Sequence, residues 1–388
     1  MADGRSPITQ NWLGYLVDQG HSVHLVSTYP CAPDLKLASL HTLPVAFGDL
    51  AGAAGQSPGS KPNHAGGAGK MVREVIPVGV RTRLRQWFGP LSLTRAAPVL
   101  NRLCQSIQPD LVHAMRIPYE GMLASLAGLS APMVLSVWGN DFTLHAGSTP
   151  LTRRYTRLAL QESMGLHVDC ARDLRLARQW GFSKARPSVI LPTSGGIQTD
   201  LFYPAQLERE PWVINPRGFR AYVNNDAFFR SIPLILSRHP QALFLLPAMD
   251  SEPRARSWIA NLKIENSTVL LPRQSRSQMA GLFRSSQVVV SPTTHDGTPN
   301  TLLEAMACGS FPVVGDLESL REWLLPGVNG FLVDPGDPQA IAEAVSHALE
   351  NEDLRRSSTE YNFLLVSERA EYSRVMAQAV RFYGDIAG

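Results

Sequence analysis

The sequence predicts an α/β protein assembled from repeated βα units with mainly parallel sheets. Three observations carry this. Short β-branched or apolar runs alternate with longer amphipathic stretches along nearly the whole chain, as strands joined by crossover helices do. The 388 residues are 44% hydrophobic, ample for two cores. Two interruptions poor in large apolar residues, residues 48–70 and Pro192–Gly196, divide the alternation.

In order along the first half, an amphipathic stretch predicts a helix near Thr9–Gln19, and the Val- and Leu-bearing run after it predicts a strand near Ser22–Ser27. Residues 48–70 are Gly, Ala, Ser, Pro and Asn with almost no large apolar side chain. Such a segment cannot bury enough surface to order itself and reads as a mobile loop. Helices follow near Arg95–Ile107, Tyr119–Leu126 and Arg172–Trp180, alternating with strands near Asp110–Ala114, Pro132–Trp138, Leu166–Val168 and Ser188–Leu191. The second half repeats the pattern. Strands are expected near Trp212–Asn215, Ala242–Leu246, Thr268–Leu271, Gln287–Ser291, Phe311–Val314 and Phe331–Val333, with helices near Asp226–Ser237, Gln278–Arg284, Asn300–Ala307 and Pro338–Glu350. The boundary falls near Ala205, giving domains over 1–205 and 206–370 and a C-terminal helix within 371–388. A doubly wound domain starts on the strand that becomes central in its sheet, yet no strand precedes Thr9. Either the sequence begins late or the first strand of the N-terminal sheet is missing.

Composition excludes several functions. Thirty-six Lys and Arg against thirty-three Asp and Glu leave +3, too little for a general field that holds nucleic acid. Four scattered cysteines, Cys31, Cys104, Cys170 and Cys308, form neither a zinc motif nor a disulfide framework, which points to a reduced cytoplasmic setting. No run of about 18 apolar residues is present. Gly66–Lys70 lacks the Ser or Thr of a phosphate-binding loop, because Met71 follows the lysine. No G-x-G-x-x-G opens an early helix, which disfavours a nicotinamide cofactor. A basic segment, Lys70 to Phe88, sets Arg73, Arg81, Arg83 and Arg85 beside Trp87 and Phe88 and suits peripheral contact with an anionic membrane.

The chemistry concentrates in Val288–Gly309. An apolar strand ends at Pro292, Gly297 permits a tight turn, Thr298 suits the N-cap and Pro299 the first helical position. Free N–H groups and the positive dipole end at such a start form an anion site fit for a diphosphate. Asp296 precedes the helix and Glu304 lies within it. Each carboxylate would accept from hydroxyls rather than face phosphate, Asp296 from a transferred sugar and Glu304 from a ribose. Gly297, Thr298, Pro299, Asn300 and Thr301 would surround the diphosphate.

The run Asp296-Gly-Thr-Pro-Asn-Thr-Leu-Leu-Glu304-Ala-Met-Ala-Cys-Gly309 resembles the signature of the family 4 retaining glycosyltransferases of the GT-B fold. Gly309–Val314, Pro326–Pro335, Pro109–Ala114 and Gly196–Pro204 extend the likeness over nearly the whole chain. The resemblance implies two facing Rossmann-like domains, with the C-terminal helix near Tyr372–Tyr383 returning to the first. It implies retaining transfer from a nucleoside diphosphate sugar, a UDP sugar by family frequency, to the hydroxyl of a saccharide or lipid-linked acceptor in cell-surface polysaccharide or glycolipid synthesis. The sugar nucleotide is a co-substrate; no further cofactor and no metal is expected, since cations and a helix terminus can serve instead.

The leaving diphosphate needs positive charge. Arg217 matches the family's donor-phosphate arginine, Tyr222 stands at its lysine position, and Arg220 is the expected substitute. Pro272 and Arg273 fall where the family contacts the base. On the acceptor side the resemblance points to Gly4, His113, Trp138 and Asp141, with Trp138 at a position where the family often carries His. A Trp N–H donates a hydrogen bond but carries no proton. Two alternatives follow: a nucleotide-sugar epimerase or hydrolase of the same fold, and a nucleotide-sugar-binding partner with little activity.

Overall fold

The structure, a computed structural model, describes residues 1–46, 78–205 and 209–388, with side chains from Leu84 onward in the helix that opens at Val78. The loop expected over 48–70, Lys70 and Arg73, and the side chains of Arg81 and Arg83 lie outside the described residues. The chain divides into two compact units, Met1–Gly195 with Met376–Gly388, and Gly196–Val375.

The first unit runs α1 (Pro7–Asp18), β1 (His24–Ser27), β2 (Ser39–Thr42), α2 (Val78–Ile107), β3 (Val112–Ala114), α3 (Met122–Ala127), β4 (Met133–Val137), α4 (Pro150–Glu162), β5 (Gly165–Val168), α5 (Ala171–Trp180) and β6 (Ser188–Ile190). Strands β3-β4-β5-β6 form one parallel sheet, and β1 pairs with β2 in a separate parallel ribbon. A core of Leu93, Leu100, Met122, Leu135, Leu160 and their neighbours lies against the sheet. Sequence reasoning missed β2 and α4. The first is four residues with alternate positions exposed. The second carries three arginines and buries Thr152, Tyr155, Thr156, Ala159 and Leu160, a helical stripe half made of threonine and tyrosine. Helix α2 also starts well before Arg95: it continues through Pro90 and Pro98, which read as breaks in a sequence.

The second unit runs β7 (Glu210–Ile214), α6 (Asn225–Leu236), β8 (Leu243–Pro247), α7 (Pro253–Leu262), β9 (Thr268–Leu271), α8 (Arg276–Ser285), β10 (Ser286–Ser291), α9 (Asn300–Cys308), β11 (Phe311–Gly315), β12 (Phe331–Val333), α10 (Pro338–Glu350) and α11 (Glu352–Arg369); α12 (Tyr372–Ala387) closes the chain. The sheet is parallel throughout in the order β12-β11-β10-β7-β8-β9. Val288 and Val290 face one apolar layer with Phe228 and Phe244, whereas Val289 faces the other with Leu303 and Met306. Burial on both faces explains the unbroken Val288–Val290 run.

The order reverses between β7 and β10, because β8 and β9 follow β7 outward on one side and β11 and β12 follow β10 on the other. In open α/β sheets such a switch point leaves a depression beyond the strand ends where ligands bind. Loops leaving β7 and β10 therefore decide what this unit recognises.

Candidate active site

The loop after β7 is built by two asparagines. Asn215 Nδ2 donates to Asn225 Oδ1 (3.1 Å), Asn225 Nδ2 to Gly218 O (3.0 Å), and Asn215 Oδ1 accepts from Arg217 N (3.2 Å). This bracing fixes the Arg217 backbone. Its guanidinium donates through Nη2 to Asp296 Oδ2 (2.7 Å) and through Nη1 to Thr301 Oγ1 (3.1 Å). The side chains of Arg217 and Asp296 are 6% and 15% exposed, so the pair is largely withdrawn from water. Arg217 Nε is buried with no hydrogen-bond partner among the described residues. One donor thus remains unspent beside the pair.

After β10, Thr294 N donates to Tyr222 O (2.9 Å), tying this loop to the one from β7, and Ser319 Oγ donates to Asp296 O (2.7 Å). The α9 start differs from the sequence expectation by one residue. Pro299 is the N-cap, in extended conformation, and Asn300 is the first helical residue. Thr298 does not cap: its Oγ1 accepts from Trp323 Nε1 (3.1 Å) in the interior. No side chain caps α9; Leu302 N donates to Pro299 O (3.0 Å), which leaves the Asn300 and Thr301 amides to an outside acceptor. At the other end Gly309, with φ of 81°, closes the helix in a left-handed turn that other residues adopt at a cost.

Glu304 lies one turn beyond Thr301 on the same face of α9. Burial pushes its carboxyl up to about 7, against the nearby positive charge of Arg276, which acts to lower it. Of the remaining expected donor residues, Arg220 is exposed; it donates to Arg217 O (3.2 Å) and to Tyr222 Oη (2.9 Å). Gly297 is buried in the turn before α9. Pro272 and Arg273 are exposed beyond β9, where Pro272 O accepts from Ala248 N (3.3 Å). They share the strand-end edge with Arg217 but lie beyond β9, two strands away from β7. The structure therefore brings Arg217, Arg220, Asp296 and Thr301 together and leaves Pro272 and Arg273 apart.

The expected acceptor-side residues fall in the first unit and do not form one group. Asp141 is fully buried, and its carboxylate accepts from Arg116 Nε (2.8 Å), Trp138 N (3.1 Å) and Ile117 N (3.2 Å). These contacts shape the loop that carries Trp138. Burial raises its carboxyl, with Arg116 opposing that rise. Arg172 Nη2 backs the same loop through Gly139 O (2.7 Å). Arg116 lies over the Trp138 ring at 5.2 Å, and Trp138 Nε1 has no hydrogen-bond partner among the described residues.

His113 is elsewhere, in an internal chain. Tyr383 Oη bonds His113 Nδ1 (2.7 Å), His113 Nε2 bonds Ser136 Oγ (2.7 Å), and Ser136 Oγ bonds His167 Nδ1 (2.9 Å). Burial holds His113 well below the usual range and His167 at about 4. These neutral imidazoles brace β3, β4 and β5. Gly4 N donates to Ser27 Oγ (3.1 Å), and a Cβ there would lie 2.4 Å from Cys31 Sγ. Its need is close packing. Sequence reasoning missed Arg116; its signal is a cation two residues after the end of β3. Among the described residues no group of three or more His, Cys, Asp or Glu could hold a metal ion.

Comparison with known proteins places these features. A family described as glycosyl transferase 4-like domain matches residues 4–193, and one described as glycosyl transferases group 1 matches residues 205–363. An uncharacterized glycosyltransferase of Methanocaldococcus jannaschii is 27% identical over 158 residues, 41% of this chain and 40% of that protein. Phosphatidyl-myo-inositol mannosyltransferase of Mycobacterium tuberculosis is 29% identical over 163 residues, 41% of this chain and 42% of that protein. The chain thus aligns with less than half the length of these relatives. Among solved structures, sucrose-phosphate synthase from Thermosynechococcus elongatus superposes with a TM-score of 0.70 at 17% identity, covering 97% of this chain and 92% of that one. Anabaena HepE in complex with UDP and glucose gives 0.64 at 16% identity, over 76% of this chain and 83% of that one.

Proposed function

We propose, from the premise that this chain belongs to the group 1, family 4 glycosyltransferases of the GT-B fold, that it transfers a sugar from a nucleoside diphosphate sugar to an acceptor hydroxyl with retention at the anomeric carbon. One observation carries the reading: Arg217, Asp296 and Thr301 meet at the uncapped start of α9, at the switch point of the second unit's sheet. Arg217, Arg220 and the first-turn amides of α9 hold the diphosphate, Asp296 turns to the transferred sugar, and Glu304 bonds the ribose.

The anomeric C–O bond to the leaving phosphate breaks, and a bond to the acceptor oxygen forms on the same face. The acceptor proton passes to the leaving phosphate oxygen, and the nucleoside diphosphate departs. Developing negative charge on that phosphate is stabilised by the arginines and the helix terminus without a metal. The UDP bound by HepE supports uridine as the base.

The first unit supports an acceptor held near an anionic membrane. Leu84, Trp87, Phe88 and Leu91 of α2 are 43%, 59%, 53% and 57% exposed, and their spacing places them on one helical face. This unit carries 20 Lys and Arg against 12 Asp and Glu, and the second 16 against 21. A basic surface with an interfacial Trp and Phe suits anionic lipid.

Thermal shift across nucleoside diphosphate sugars, followed by transfer assays with the stabilising donor, tests the proposal. A donor that raises the melting temperature of the natural chain and not of Arg217→Ala is expected; no stabilisation by any of them refutes the assignment. The binding-partner alternative draws on Trp138 in place of a proton carrier, and predicts donor binding with no transfer to any acceptor.

A further inference from the structure

The strand-end side of the first unit gathers arginines and aromatic rings outside the expected acceptor residues. Tyr29 stands two residues past β1, Tyr119 lies between β3 and α3, and Arg85 comes from α2. Both rings are buried. The Arg85 guanidinium lies 5.5 Å from the Tyr29 ring centroid and 5.0 Å from that of Tyr119. Tyr119 in turn locates the helix: its Oη donates to Arg85 O (2.7 Å), and a Cβ on Gly89, one turn on, would lie 2.9 Å from that Oη. Burial pushes the Tyr119 hydroxyl up to about 12, Arg85 acting to lower it, so this donor stays protonated.

The Arg85 guanidinium makes no hydrogen bond or ion pair among the described residues, and its Nε is buried. Neighbouring acids are engaged by other donors. Asp3 receives Arg5 Nε and Nη2, each at 2.9 Å. Glu120 receives Thr28 Oγ1 (2.7 Å) and Tyr119 N (2.8 Å), and Asp141 receives Arg116 Nε (2.8 Å). Arg5 also lies over Tyr29, at 3.7 Å, so two guanidinium groups share that ring. A cation withdrawn from water without a partner is costly, and an anionic ligand removes the cost. Contact with the rings leaves the in-plane N–H donors of Arg85 unspent, and that fork matches two oxygens of a phosphate.

We propose that the acceptor is anionic, a phosphate ester whose phosphate oxygens accept from Arg85, with Arg5 adding positive charge across Tyr29. The assignment rests on the transferase reading, in which the donor occupies the second unit and the strand ends of the first are left to the acceptor.

The test follows the Arg85 Nε–H resonance of the isotope-labelled full chain, assigned by its loss in Arg85→Lys. Two probes separate the sources of phosphate: glycerol phosphate, a soluble monoester, and monomeric dihexanoyl phosphatidic acid, a lipid headgroup. Movement with both shows that the phosphate itself is recognised, and movement with the lipid alone assigns a phospholipid acceptor. No movement with either up to about 20 mM overturns the proposal, as does equal movement with uncharged glycerol. By calorimetry Arg85→Lys, which keeps the charge and loses the fork, should bind the effective probe about tenfold more weakly; equal affinity also overturns it. Melting with nucleoside diphosphate sugars separates this proposal from the reading beneath it. A stabilising donor without movement at Arg85 refutes the anionic acceptor and leaves the transferase standing. Movement at Arg85 with no stabilising donor refutes the transferase, and the acceptor assignment with it, while the anion site stands.

Discussion

Replacing Glu304 by Gln tests whether the α9 carboxyl is withdrawn from water as the structure indicates. Its folded value of about 7 lies above the ordinary 4.5, so the folded chain binds this proton more tightly than the unfolded chain does. The stability it contributes is complete below pH 4.5 and is lost as pH rises to 7. The rise from 4.5 to about 7, at about 1.4 kcal/mol per factor of ten in proton affinity, bounds the effect at about 3.5 kcal/mol. Because the residue is only partly buried by area, water reduces this to about 1–2 kcal/mol. In a unit of this size each kcal/mol moves the melting temperature by about 2–4 °C. Melting curves from pH 4.5 to 8 are the assay. Glu304→Gln, permanently neutral, should match the natural chain at pH 4.5 and melt about 3–6 °C higher at pH 8. Parallel curves for the two proteins across this range refute a buried Glu304.

Other perturbations address the remaining contacts. Arg217→Met alone leaves Asp296 unpaired where it is 15% exposed; a loss of about 3–4 kcal/mol is expected in urea unfolding, and the double variant with Asp296→Asn should recover most of it. Failure to recover means the pair is solvated. Asp141→Asn should cost about 2–3 kcal/mol through Arg116 and the two amides it accepts from, and hydrogen exchange should show the Trp138 and Ile117 amides losing protection together. Trp87→Ser with Phe88→Ser should leave melting within about 0.5 kcal/mol of the natural chain while reducing sedimentation with vesicles containing phosphatidylglycerol at least fivefold. Unchanged sedimentation removes α2 as the docking face.

The family likeness and the α/β class were readable because both are written in contiguous residues. The run from Asp296 to Gly309 needs only local chemistry, a turn glycine and a helix start, to declare an anion site. The buried Val288–Val290 strand declares itself by being apolar at every position. Local rules failed where the neighbourhood overrides them. Thr298 is a good N-cap in isolation, but Trp323, 25 residues later, takes its hydroxyl. Pro90 and Pro98 break most helices, yet α2 continues through both. The Arg- and Thr-rich α4 becomes a helix by packing rather than by a clean apolar stripe.

What the sequence alone determined, then, is the alternation that makes two parallel sheets and the segment where donor chemistry concentrates, since periodicity and spacing are properties of adjacent residues. Only the tertiary structure decided which charges meet. Arg217 and Asp296 are 79 residues apart and come within 2.7 Å of each other because β7 and β10 are neighbours at the reversal of strand order. Asp141 is enclosed by Arg116 and two amides that adjacent residues alone do not reveal. Burial and pairing are set by the whole fold, and no pattern along the chain encodes them residue by residue.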